Sequence, residues 1–142
     1  MADKPVIEIS RYCVPFTPFG GQLEAASICL VSTAGVYHES DPPFDVNGDL
    51  SFRVIPGTAH ASELRIADAH YDHGCVDRDV NCVFPIDRLT ELTHEHRIGG
   101  VADRHFSIGF TQAIRQLRDD TLPYLVEEVR STRPDAVLLT GG

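Results

Sequence analysis

A chain of 142 residues and 15.6 kDa is the length of one ordinary domain, and its 42% hydrophobic and 23% charged residues exclude wholesale disorder. Twelve basic residues against 21 acidic ones leave a net charge of −9, which would repel a polyanion and argues against a nucleic-acid partner. No apolar run approaches the roughly 18 residues that span a bilayer, and the first residues lack the layout of a secretion signal; the expected setting is the cytoplasm, with no membrane partner.

Residues 1–24 read as an irregular arm, because Pro15, Pro18, Gly20 and Gly21 punctuate it. Residues 25–142 read as an α/β domain. Ala26 to Ser32 is a short, nearly continuous apolar run, the mark of a strand covered on both faces, and it ends in Thr33-Ala34-Gly35. Ser51 to Ile55 alternates and stops at Pro56-Gly57, which suggests an edge strand. Leu64 to Ala67 is a further short strand. Pro85 opens a helix running to about His96, with Ile86, Leu89, Leu92 and Thr93 on one face and Gly99-Gly100 as the stop. Val101 to Ser107 is another strand. Residues 112–132 carry a helical period, and Pro123 divides them into two pieces, the second starting near Thr121. Ala136 to Leu139, apolar throughout, is the last strand and is expected inside a sheet.

Strands alternating with helices imply a mainly parallel sheet with helices on both faces, Rossmann- or flavodoxin-like. The ordered strands of that sheet are expected to include 27–32, 64–67 and 136–139. Ligands in such sheets bind beyond the carboxyl ends of strands. Three loops then qualify: Thr33 to His38, Asp68 to His73 and Thr140 to Gly142.

The densest chemistry lies between Asp68 and Cys82, where fifteen residues hold two His, two Cys and four Asp. Turn-forming aspartates in a solvated loop are one reading. A site is the other, because loops on rigid scaffolds carry function. Asp68-x-His70-x-Asp72-His73 looks like the zinc motif of metallo-β-lactamases, with Asp at the first His, which keeps a zinc hydrolase or metal-binding module open. Among the cysteines, Cys29 reads as a core thiol, Cys13 lies in the arm, and no C-x-x-C spacing is present. No phosphate-binding glycine motif or nucleophile elbow occurs either.

Several stretches, in order, resemble the selenoprotein B family of the glycine, sarcosine, betaine and D-proline reductases. They are Val14-Pro15-Phe16-Thr17-Pro18, Leu30 to Val36, Ser51 to Gly57, His70-Tyr71-Asp72-His73, Asp79 to Leu89 and Asp135 to Thr140. The resemblance implies an oxidoreductase that cleaves a C–N bond of a small amine or amino acid, with a dithiol/disulfide couple as redox partner. It implies a selenocysteine nucleophile just after the final strand, a partner subunit whose pyruvoyl group captures the amine, and a thiol or selenol electron-donor protein. The chain itself is expected to bind no cofactor and no metal.

The sequence given stops at Gly142, about where the selenocysteine is expected. Selenocysteine is encoded by UGA, so the domain reads as truncated at its C-terminus, and the chain alone as inactive; a short non-catalytic paralogue is the alternative. Within the chain, His70, Asp72 and His73 are the expected catalytic residues. His70 or His73 donates a proton to the departing amine, and Asp72 orients the imidazole. Thr33, Gly35, Thr140, Gly141 and His105 are the expected substrate-binding residues, converging at the carboxyl edge of the sheet.

Overall fold

The structure, a computed structural model, describes residues 18–72 and 74–141. Cys13, Val14 to Thr17, His73 and Gly142, all named above, lie outside the described residues.

The central sheet is built on β1 (Ser27–Ser32), whose SICLVS sequence is buried from Ile28 onward. One edge of β1 pairs in parallel with β7 (Ala136–Thr140) over five residue pairs, from Ile28–Ala136 to Ser32–Thr140. The other edge pairs in parallel with β5 (Gly100–Val101) and then with β6 (Arg104–Ile108). β5 and β6 act as one strand interrupted at Ala102-Asp103; the Ala102 N–H still donates to the Ile28 carbonyl at 2.9 Å. β3 (Phe52–Pro56) closes that side as the antiparallel edge strand, with Ile55 opposite His105. The spatial order is therefore β3, β5/β6, β1, β7.

The two longer helices lie on opposite faces, as expected. Successive residues of a strand face opposite ways. Ile28 and Leu30 share a core with Ile86 and Leu89 of α1 (Ile86–His94). Cys29 and Val31 share another with Phe106 and with Leu125 of α2 (Leu122–Ser131). Thr90 and Thr93 of α1 return their hydroxyls to the Ile86 and Leu89 carbonyls, and Asp87 sits in the first turn, where the helix dipole favours a negative charge. The residue that turns the chain out of α1 is His96, at φ 56°, and not a glycine. Gly99 has a different duty, since a Cβ there would collide with the backbone of Ala25-Ala26.

Residues 114–131 wind in three stages. A single α turn (Ile114–Gln116) is followed by a π-wound turn (Leu117–Thr121) and then by α2. Pro123 stands in the first turn of α2, where its missing N–H costs little. The Thr121 hydroxyl does not cap the helix; it donates to the Leu50 carbonyl.

Two expectations are corrected. Leu64–Ile66 (β4) is a strand but lies outside the central sheet; it forms an antiparallel ribbon with β2 (Val36–His38), a segment read from sequence as loop. Short apolar runs do not reveal their partners, and three residues suffice for a ribbon but not for a sheet strand needing a helical crossover. β7 joins the central sheet as expected, paired with β1, and has no strand on its outer side among the described residues.

Candidate functional site

The connectivity creates a switch point. From β1 the chain moves to β5/β6 on one side, then crosses back through α2 to β7 on the other. Helices on opposite faces leave a crevice at the carboxyl ends of β1 and β7, where open α/β sheets bind ligands.

Thr33 and Thr140 meet there. The Thr33 N–H donates to the Thr140 carbonyl at 3.1 Å. A Cβ on Gly141 would stand 3.5 Å from Thr33 Oγ1, an ordinary contact. Below them, Ser32 Oγ and Thr140 Oγ1 both donate to the Val83 carbonyl, at 3.4 and 2.6 Å. This shared acceptor pins the segment before α1 to the floor of the switch point.

Gly35 turns the chain away from β1 with φ +67°, a conformation that L side chains rarely adopt. Its N–H donates to Ile108 O, and its carbonyl accepts from Ala67 N at 3.0 Å. That second bond brings Asp68 to Tyr71 back over β1. The Tyr71 hydroxyl donates to the Ala34 carbonyl at 3.1 Å. Burial, with the charges of Asp68 and Asp77, pushes this phenol up to about 12, so it stays protonated.

The result is a cleft of about 280 Å³, walled by Thr33, Asp68, His70, Tyr71 and Phe110. The His70 ring stacks on Phe110 with centroids 3.4 Å apart and planes 15° apart. Its Nδ1 lies 3.0 Å from Asp68 Oδ1, which also accepts the His70 N–H at 2.7 Å. Asp68 is nearly buried, whereas His70 is 41% exposed. A carboxylate held against Nδ1 fixes the tautomer and leaves Nε2 to exchange protons.

Of the residues expected from sequence, the structure brings Thr33 and His70 into one cleft and sets Thr140 and Gly141 beside Thr33; Gly35 shapes the turn beneath them. Asp72 is not the carboxylate that orients the His70 imidazole. Its Oδ1 accepts the Gly74 N–H at 2.9 Å, and the carboxylate on His70 is that of Asp68. His105 does not line the cleft. It is fully buried in β6, and its Nδ1 accepts the Leu30 N–H at 3.1 Å. Its Nε2 has no hydrogen-bond partner among the described residues, and burial pushes its pKa down to about 4.

Phe110 went unread in the sequence, though Gly109-Phe110-Thr111 follows a parallel strand and so met the rule that selected the other loops. The dense segment splits into two parts. Asp68, His70 and Tyr71 belong to the cleft. Asp79 and Asn81 instead bind each other and Asp87 at the start of α1, through Asn81 Nδ2 to Asp87 Oδ2 at 3.1 Å and the Asp87 N–H to Asn81 Oδ1 at 3.0 Å. Among the described residues no three His, Cys, Asp or Glu side chains group to hold a metal ion. Burial pushes the Cys29 thiol up to about 11, which removes it as a nucleophile, while Cys75 and Cys82 are exposed. No helix among the described residues is long and apolar enough to cross a membrane.

Over 130 residues the chain is 36% identical to the D-proline reductase subunit gamma of Acetoanaerobium sticklandii. The match covers 89% of this chain and 53% of that protein, so the chain spans about half the length of the relative. This similarity supports the reductase family that the sequence motifs resemble. No family model matches the chain, and no solved structure does.

Proposed function

We propose that this chain forms the cleft-bearing half of a subunit of a cytoplasmic amino-acid reductase of the D-proline reductase type. The single observation that carries the reading is the 36% identity over 89% of the chain. The cleft beyond the carboxyl ends of β1 and β6, lined by Thr33 and His70 and with Thr140 hydrogen-bonded beside Thr33, supports it.

The reaction is a reductive C–N cleavage. The C–N bond breaks, the nitrogen leaves with its electron pair and takes a proton, the carbon gains a hydrogen, and a dithiol becomes a disulfide. A selenol encoded just beyond Gly142 would supply a nucleophile ionised at neutral pH, and a pyruvoyl carbonyl on a partner subunit would hold the amine.

The chain's own residues have separate tasks. His70 donates the proton to the departing nitrogen through Nε2. Asp68 holds the ring at Nδ1 and so aims Nε2, and Phe110 holds the ring plane. Thr33 and Thr140 present polar groups to the substrate, and Gly35 sets the height of the Thr33 turn. His73 is the alternative proton donor in this reading. A thiol or selenol electron-donor protein docks at this edge to return the dithiol.

Two experiments test the reading. Reading the codon after Gly142 should reveal UGA with an open frame beyond it; UAA or UAG would remove the selenol. The assembled reductase should ring-open D-proline at the expense of a dithiol. Failure to consume D-proline, glycine, sarcosine or betaine under those conditions would overturn the assignment.

A further inference from the structure

We infer that the outer edge of β7 is a docking surface for one parallel strand, with a helix on each face, supplied by the remaining half of the longer reductase polypeptide. The inference rests on the proposed function only in taking the chain as half of a longer reductase subunit.

The first observation is the state of β7. It pairs only with β1 among the described residues, so its outer N–H and C=O groups face no strand. Soluble proteins protect such edges with charges, proline or a bulge. The β7 sequence Ala-Val-Leu-Leu-Thr has none of these. The second is the distribution of apolar surface. By register with β1, Val137 and Leu139 project on the α2 face and Leu138 on the α1 face. They are 42%, 73% and 41% exposed, respectively. An edge strand packed against solvent on one side alternates polar with apolar residues, whereas a strand with apolar residues on both faces belongs between helical layers. Ala136 packs against the core that α1 helps to form, but Val137, Leu138 and Leu139 stay exposed.

The third observation concerns length. The gamma-subunit relative extends well beyond the matched region, which covers 53% of it. Further βα units adding to this sheet would pair their first strand with β7 and lay a helix over each apolar face. A second copy of this chain offers a poorer fit. An isologous β7–β7 pair is antiparallel and would leave both faces of the joined strands without helices.

The segment encoded after Gly142 is co-expressed with this chain as a separate polypeptide, and association is measured by light scattering and by hydrogen exchange along β7. The expected result is a 1:1 complex in which β7 amides exchange at least tenfold more slowly. L138K and L139K should each weaken association at least tenfold, and Y124K, on the exposed side of α2, should leave it unchanged. A discrete homodimer of the 142-residue chain that protects β7 would overturn the inference, as would equal β7 exchange with and without the segment, or the lack of any coding segment. D-proline turnover by the assembled enzyme is measured separately. A complex that forms but reduces no amino acid would sink the functional reading alone.

Discussion

The imidazole of His70 lies flat on the ring of Phe110, with centroids 3.4 Å apart. A ring clamped on one face and held at Nδ1 by Asp68 has one orientation and one tautomer. The role proposed for this arrangement is proton delivery. His70→Gln should lower turnover by about 100-fold or more, the usual contribution of a positioned general acid. Asp68→Asn should lower it less, because the imidazole remains. Its distinguishing signature is a fall in kcat with KM unchanged, since the ring loses the carboxylate that aims it. An equal loss of thermal stability with kcat unchanged would make Asp68 merely structural.

Gly35→Ala tests the turn that builds the cleft. The new Cβ would stand 2.6 Å from the Ala67 carbonyl oxygen in a residue at φ +67°. The left-handed conformation alone costs about 1–2 kcal/mol, and relieving the contact breaks the Ala67-to-Gly35 hydrogen bond. Thermal unfolding should show a loss of about 2 kcal/mol or more, which lowers Tm by several degrees.

Ser32 and Thr140 share the Val83 carbonyl as acceptor. Thr140→Val and Ser32→Ala should each cost about 1 kcal/mol. The double variant strips the carbonyl of both donors, so its cost should exceed the sum by about 1 kcal/mol in a denaturant-based mutant cycle. Strict additivity would show that the two bonds act independently.

His105 predicts an acid-labile fold. Its pKa is pushed down to about 4 in the native state, against about 6.5 unfolded. Between these values the unfolded chain binds the extra proton, so stability is complete above pH 6.5 and declines as the pH falls toward 4. The shift corresponds to at most about 3 kcal/mol. Urea unfolding across that range measures it. His105→Asn, which keeps an acceptor for the Leu30 N–H, should flatten the slope.

The sequence showed the architecture where local and tertiary preferences agree. The SICLVS run, the α1 period and the break at Pro123 each carry their own signal. It hid β2 and the partner of β4, because three-residue strands are defined by hydrogen bonds that composition does not encode. Thr33 and Thr140 were legible through the rule that ligands gather at carboxyl ends of parallel strands, whereas His70 was singled out by the density of chemical groups in its segment, since the strand before it lies in an antiparallel ribbon. Asp68's role was not, since four nearby aspartates are chemically equivalent until the backbone decides which one faces Nδ1. His105 resembled a site residue because a histidine in an apolar strand shows its chemistry but not its burial.

The central position of β1 also governs how the molecule is made. Its pairing residues follow much later in the chain, 75 positions on for Val31 with Phe106 and 108 for Ile28 with Ala136. The strand at the heart of the sheet is therefore synthesised first and satisfied last. Its apolar residues must wait, through the ribbon, the cleft loop and α1, for neighbours that do not yet exist. Long-range parallel pairing of this kind is slow and leaves sticky intermediates. Growth temperature and chaperone supply should thus control the yield of soluble protein more strongly than the stability of the finished fold does.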